Sequence, residues 1–214
     1  MHMRKSEIII LAITLLTFII ASYFYPHMPE KIATHWNVRG EVDGYMTKFW
    51  GLFLVPFMLC IMALLFIVLP RIDPLRANII RFRDYFDRFI ILVFVFFALI
   101  YFLFSILWNR GTRISPNLIL PVGLGFLFYY TGILLQHAER NWFIGIRTPW
   151  TLSSEKVWKK THKRGGTLFK ISGILSIFGI FFQTYAFYFT IIPILFVTLY
   201  TIVYSYLEFE RETQ

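Results

Sequence analysis

The stretch Phe49–Arg71 reads FWGLFLVPFMLCIMALLFIVLPR, and no charged side chain stands between Lys48 and Arg71. About 20 mostly apolar residues in a helix cross the hydrocarbon core of a bilayer. This segment therefore predicts a membrane span from about Phe49 to Leu69, closed by Pro70 and Arg71. The same pattern recurs on both sides. A first span is expected from about Ile8 to Tyr25 and a third from about Phe89 to Trp108. A fourth, from about Leu118 to Leu135, is interrupted by Pro121, Gly123 and Gly125. Neighbouring helices can repair the backbone hydrogen bonds that such residues leave open, and small residues let helices approach closely. The last apolar stretch, Leu168 to Leu207, has Lys170 as its one charge. As one helix its roughly 40 residues would extend about 60 Å at 1.5 Å per residue, twice the hydrocarbon core. Two spans are predicted there, with a turn at Gln183-Thr184 or nearer Pro193. The expected fold is an all-α polytopic membrane protein with about six transmembrane helices.

The composition agrees with that reading. The chain is 57% hydrophobic and 15% charged, against about 25% charge in a soluble domain. The net charge of +9 does not indicate nucleic acid, because Lys and Arg lie in loops between apolar segments and not on one soluble face. Cytoplasmic retention of cations accounts for them. With the N-terminus inside, only Lys31, Arg39, Lys48, Arg110 and Arg113 fall outside, and the other 16 of the 21 fall inside. Both termini are thus expected in the cytoplasm. Tyr23, Tyr25, Trp50, Trp108 and Tyr206 suit an interfacial aromatic belt. No A-x-A cleavage pattern follows the first apolar run, which reads as a retained signal anchor. His2 is expected to be an ordinary solvated residue. Cys60, the single cysteine, allows no intrachain disulfide or thiolate zinc site and is expected to be a small buried hydrophobe. The chain divides into an N-terminal membrane segment (1–69), middle helices with a basic inner loop (70–135), and a polar loop with the last two helices (136–214).

The first outer loop, YPHMPEKIATHWNVRGEVDGYMTKFW, is too polar to span. Pro26 and Pro29 stop the first helix, and Asn37, Gly40 and Asp43-Gly44 are turn residues. His27, Glu30, His35, Glu41 and Asp43 have ligand chemistry for a zinc-like ion. The histidines are eight apart, however, and no H-x-x-x-H or H-E-x-x-H spacing is present. The expected role is a hydrogen-bonded cap with no metal, its turns pinned by His35 and Asp43. Pro29, His35, Asn37, Gly40, Asp43 and Lys48 resemble the proline–H-x-N-x-x-G-x-x-D pattern of an uncharacterised membrane domain that commonly forms the first half of SdpI-family proteins.

Two inner loops remain. PRIDPLRANIIRFRDYFDR, from Pro70 to Arg88, offers an i,i+4 ion pair between Asp84 and Arg88, and Ile79, Ile80 and Phe82 could lie against lipid headgroups. In QHAERNWFIGIRTPWTLSSEKVWKKTHKRGG, Ser153 or Ser154 can cap a helix with Glu155 in its first turn. Gly165-Gly166 is expected to end it. Trp158 and His162 share one face of that helix, and Lys156, Lys159, Lys160, Lys163 and Arg164 suit an anionic leaflet. The segment RNWFIGIRTPW, broken by Gly145 and Thr148-Pro149, is expected at the inner interface, with Trp142, Phe143 and Ile144 dipping inward. Arg140 and Arg147 are expected to pair with lipid phosphate, with Glu139 or with backbone carbonyls. Arg140, Asn141, Gly145, Ile146, Arg147, Thr148, Pro149, Trp150, Thr151, Leu152, Trp158, Thr161, His162 and Gly165 resemble the R-N-x-x-x-G-I-R-T-P-W-T-L…W-x-x-T-H-x-x-G motif of the SdpI family.

That resemblance implies a multi-pass protein of a prokaryotic cell membrane that protects its cell from a membrane-active peptide toxin, with a cytoplasmic transcription regulator as a possible signalling partner. Binding roles are expected for Arg140, Asn141, Gly145, Arg147, Thr148, Pro149, Trp150, Trp158 and His162, and for His35, Asn37 and Asp43 in the outer loop. Two other readings stay open. A small transporter or lipid carrier is disfavoured by spans whose interiors offer little beyond Thr14, Thr17, Ser105, Thr131, Ser172, Ser176 and Gln183. A metal-dependent membrane enzyme would need His137, Glu139 and His162 to converge. The expectation is a protein without catalytic activity or cofactor whose partners include membrane lipids.

Overall fold

The computed structural model describes residues 3–213; His2 lies outside the described residues. Helix α1 (Lys5–Phe24) ends in a 3-10 turn at Tyr25–His27. A hairpin follows, β1 (Lys31–Trp36) and β2 (Val42–Thr47), then α2 (Lys48–Ile72) and the short α3 (Arg76–Arg81). Helix α4 (Arg83–Ile100) continues as a π-helical segment, Tyr101–Leu107, and a 3-10 turn, Trp108–Arg110. After α5 (Pro116–His137) come α6 (Pro149–Ser153), α7 (Glu155–Phe178), a 3-10 segment (Gly179–Tyr185) and α8 (Ala186–Thr213).

Among the described residues, five helical stretches are long and apolar enough to cross a membrane: Lys5–His27, Lys48–Ile72, Arg83–Arg110, Pro116–His137 and Glu155–Thr213. The chain is an all-α polytopic membrane protein with one small hairpin. The last stretch, 59 residues long, is broken at Phe182, whose φ of −126° and ψ of 60° leave the helix. The break falls beside Gln183-Thr184, whereas Pro193 sits inside α8. Gly179 marks the return, because a Cβ there would stand 2.9 Å from Phe189 Cβ.

The spans bury several small and hydroxyl side chains beside large core residues, and many of their other large apolar side chains face outward. Helix α1 buries Ile10, Thr14, Thr17 and Ala21, a seam of alternating four- and three-residue steps, while Leu15, Leu16 and Ile19 are exposed. The buried hydroxyls are satisfied within the helix: Thr14 Oγ1 donates to the Ile10 carbonyl (2.8 Å) and Thr17 Oγ1 to the Thr14 carbonyl (2.7 Å). Lipid tails are as apolar as leucine, so helices associate through small residues and hydrogen bonds while the bulky side chains meet lipid. Cys60 is exposed on α2 beside the exposed Ile61 and Leu64, which corrects its expected burial.

The chain forms two compact units, one of residues 1–67 and 90–120, the other of 68–89 and 121–214. The first is centred on Ala21, Met28, Ile32, Leu52, Tyr101 and Ile106. Its hairpin runs in antiparallel register from Lys31↔Thr47 to Trp36↔Val42, with an irregularity at His35. Asn109 covers the free edge of β1, its Oδ1 accepting from the Ala33 N–H (2.8 Å) and its Nδ2 donating to the Ala33 carbonyl (3.1 Å).

In the second unit α5 and α7 run antiparallel and meet through glycines. A Cβ on Gly125 would lie 2.7 Å from the Gly173 carbonyl, and one on Gly166 2.6 Å from the Gly132 carbonyl. Gly165 and Gly166 therefore lie inside α7 and do not end it as their doublet predicts; tertiary contact, not a left-handed cap, explains them. Ser176 Oγ adds a bond to the Pro121 carbonyl (2.8 Å) and one shared with Thr190 Oγ1 of α8 (2.9 Å). In the loop before α4, Ile79 and Phe82 are buried in protein and only Ile80 is exposed. The i,i+4 ion pair of that helix joins Arg83 to Asp87 at 3.2 Å, in place of the Asp84–Arg88 pair that spacing suggests.

Candidate functional site

Ala138 to Thr148 form no regular element, yet side chains define them closely. Asn141 is wholly buried and acts as an internal staple. Its Nδ2 donates to the carbonyls of Glu139 and Ile144, both at 2.8 Å, and its Oδ1 accepts from the N–H groups of Phe143 (2.9 Å) and Ile144 (2.6 Å). Buried Asp73 supports the same turn from another segment, accepting from the Trp142 N–H (2.9 Å) and the Leu75 N–H (2.6 Å). Asn78 Nδ2 donates to the Arg140 carbonyl at 2.8 Å. Both arginines of the segment take carbonyls: Arg140 Nη1 donates to Leu152 (3.2 Å) and Arg147 Nη1 to Trp142 (2.8 Å). Ile144 is buried, but Trp142 remains exposed.

The second half of the loop is locked onto α7. Trp158 is fully buried, and its Nε1 donates to the Ala138 carbonyl at 2.7 Å. One turn later, the buried His162 stacks on it, with ring centroids 3.9 Å apart and planes 17° apart. His162 Nδ1 lies 2.9 Å from the Trp158 carbonyl, while Nε2 accepts the Ile146 N–H at 3.0 Å. Those partners select the neutral ring with its proton on Nδ1. Gly145 passes over these rings with φ of +123°, and a Cβ there would overlap His162 Nε2. Only glycine adopts that backbone without strain.

The Thr148-Pro149 step starts α6. Thr148 Oγ1 accepts from the Thr151 N–H (3.2 Å), and Thr151 Oγ1 accepts from the Thr148 N–H (2.9 Å), a reciprocal cap with proline in the first turn. Thr148 Oγ1 also shares a hydrogen bond with Ser205 Oγ of α8 at 3.0 Å, and Trp150 packs against Tyr206 with centroids 5.2 Å apart. Ser154 caps α7, accepting from the Val157 N–H at 3.2 Å. Lys160 is paired with Glu208 at 2.5 Å.

The two sequence patterns are matched by known families. Residues 137–205 match the SdpI/YfhL protein family, and residues 12–60 match a domain of unknown function, DUF1648. The Immunity protein SdpI of Bacillus subtilis (strain 168) is 26% identical over 203 residues, covering 94% of this chain and 95% of that protein. Residues 137–205 are thus an SdpI/YfhL-like region. No solved structure matches the chain. With its several apolar helices and this similarity, the chain is a multi-pass protein of the cell membrane.

The SdpI/YfhL region holds Arg140, Asn141, Gly145, Arg147, Thr148, Pro149, Trp150, Trp158 and His162 in the single structure just described. His137, Glu139 and His162 do line one cleft, but His137 stacks on Tyr85 at 3.7 Å and Glu139 pairs with Arg81 at 2.9 Å. Among the described residues no three His, Cys, Asp or Glu side chains form a metal-holding group. His35, Asn37 and Asp43 form a separate cluster on the hairpin, inside the DUF1648 match. There, His35 Nδ1 and Asp43 Oδ1 are 2.6 Å apart, both side chains exposed. Asn37 Oδ1 accepts from the Arg39 and Glu41 N–H groups (2.9 and 3.1 Å), and its Nδ2 donates to Glu41 (2.9 Å). The Asn37 amide, with the Arg39 guanidinium, holds the Glu41 carboxyl below its usual range.

Asp73, Asn78 and Ser205, which complete the loop, are invisible to motif reading because each lies more than 50 positions away in sequence from its partner. The one local signal was Asp73 before Pro74, a turn-forming pair.

Proposed function

We propose that this chain is a toxin-immunity protein of the cell membrane, protecting its cell from a membrane-active peptide. The carrying observation is the nearly end-to-end similarity to the Immunity protein SdpI. In this reading the chain is not an enzyme. Protection arises from binding, and the stapled loop of Ala138–Thr148 is a rigid recognition surface, its polar side chains committed to backbone partners. The termini and the SdpI/YfhL loop face the cytoplasm, in line with the distribution of Lys and Arg, and the hairpin with His35, Asn37 and Asp43 faces outward, where a toxin arrives. Of the three sequence segments, 1–69 carries the outward-facing hairpin, 70–135 the middle helices with their basic inner loop, and 136–214 the inward-facing loop with the last two helices. Through Arg147, Pro149 and Trp150 the inner loop signals to a cytoplasmic transcription regulator.

The test is expression in a strain sensitive to such a peptide. Survival of toxin exposure is expected with the wild-type chain and is expected to fall with Asn141→Ala, which dismantles the staple. Unchanged killing despite normal membrane levels of wild-type protein would refute the immunity reading. Survival without any toxin-dependent change in transcription would refute the signalling part alone.

A further inference from the structure

A cleft lies between the end of α5, the start of the SdpI/YfhL loop and α7, and has a volume of about 590 Å³. Its lining includes Glu155, Lys159, Lys163 and Thr167 of α7 and Arg140 of the loop. The two acids at the rim are already neutralised, Glu155 by Lys159 (2.8 Å) and Glu139 by Arg81 (2.9 Å). Neither Lys163 nor Arg140 makes a direct salt bridge among the described residues, although Arg140 lies within electrostatic reach of Glu155. Arg140 uses one Nη1–H on the Leu152 carbonyl, which leaves further guanidinium donors free. One end of the cleft is closed by Gln136, which bonds Thr167 (3.1 Å) and Lys170 (2.5 Å). Two cations without a salt bridge of their own in one concave site select a phosphate, which a guanidinium can grip with two parallel bonds.

The same helix shows where that phosphate comes from. Ile174 is eleven residues beyond Lys163, about three turns, so the two share a face about 16 Å apart along the axis. Phe178 stands in the same relation to Thr167. Both Ile174 and Phe178 are exposed, as is Phe126 on α5. A basic cleft above a bare apolar flank on one helix face matches an amphiphile with an anionic head and an acyl tail.

We propose that this cleft holds the headgroup phosphate of one anionic phospholipid, gripped by Lys163 and Arg140, with its acyl chain along Ile174 and Phe178. The proposal goes beyond the immunity reading and does not depend on it. Full-length protein in detergent is mixed with phosphatidylglycerol or phosphatidylcholine, and bound lipid is counted by native mass spectrometry. Phosphatidylglycerol is expected to be retained preferentially. Lys163→Gln should reduce its retention about fivefold, the effect of one cation at an anionic surface, and Lys163→Arg should restore it. Lys156→Gln, which removes an exposed cation of α7 outside the cleft, should change retention by less than about twofold. Equal losses from Lys163→Gln and Lys156→Gln would overturn the site in favour of diffuse surface charge. Inorganic phosphate that binds in a Lys163-dependent way, with no preference for phosphatidylglycerol, would overturn the lipid assignment.

Discussion

Replacing Gly145 with alanine tests whether the SdpI/YfhL loop is held by its contact with His162. Two effects add. An L-residue at positive φ costs about 1–2 kcal/mol. The new Cβ also overlaps His162 Nε2, which must move and release the part-buried Ile146 N–H, a loss of about 1–3 kcal/mol. Gly145→Ala should thus destabilise the protein by about 2–5 kcal/mol. Gly111 supplies the control: its φ is +104°, and a Cβ there would have nothing within 4 Å. Gly111→Ala should show the backbone strain alone, about 1–2 kcal/mol. His162→Ala loses the same Ile146 bond together with its stack on Trp158. The double variant loses that bond once, not twice, so its destabilisation should fall short of the sum by about 1–3 kcal/mol. Unfolding free energies from SDS titration in mixed micelles, followed by far-UV circular dichroism, give all four values. Additivity within about 0.5 kcal/mol, or equal effects at Gly145 and Gly111, would refute the proposed lock between loop and helix.

Gly166→Val should force α5 and α7 apart and cost about 1–3 kcal/mol by overpacking, seen as a lower unfolding midpoint in the same titration. Asn141→Asp should keep the Phe143 and Ile144 bonds but lose those to the Glu139 and Ile144 carbonyls, so limited proteolysis should cut the 139–147 loop faster than in wild type and slower than in Asn141→Ala. At the hairpin, the lowered Glu41 carboxyl favours folding at pH values above the usual glutamate range. That contribution is lost as pH falls through the lowered value, and a carboxyl-carbon NMR titration of Asn37→Ala should show the Glu41 transition moving back upward. For sidedness, single cysteines at exposed His35 and Lys156 in a Cys60→Ala background should react with an impermeant reagent from opposite faces; Trp158 is buried and unsuited as a probe.

How much could be read in advance differs by level. Uncharged apolar runs such as Phe49–Leu69 determined the membrane spans, because a bilayer imposes a length and a polarity that one sequence displays directly. Ser153 or Ser154 likewise announced a helix start, and the i,i+4 spacing of Trp158 and His162 announced a shared face, since caps and helix faces are local properties; Thr148-Pro149, which reads as a break, instead starts α6. The hairpin was not legible: β1 buries the adjacent Ile32 and Ala33, so the alternation that marks a strand is blurred. Gly165-Gly166 looked like a helix end because a glycine doublet reads the same whether it stops a helix or admits a neighbour. Only the tertiary structure distinguished these, by laying α5 against the doublet and Ile146 beside it. It alone brought Asp73, Asn78 and Ser205 to the loop and left Lys163 and Arg140 at a cleft without a direct salt bridge of their own. Membrane insertion depends on the transfer of each segment from water to lipid, which is additive along the chain; the loop depends on hydrogen bonds between residues far apart in it, which exist only once the helices have packed.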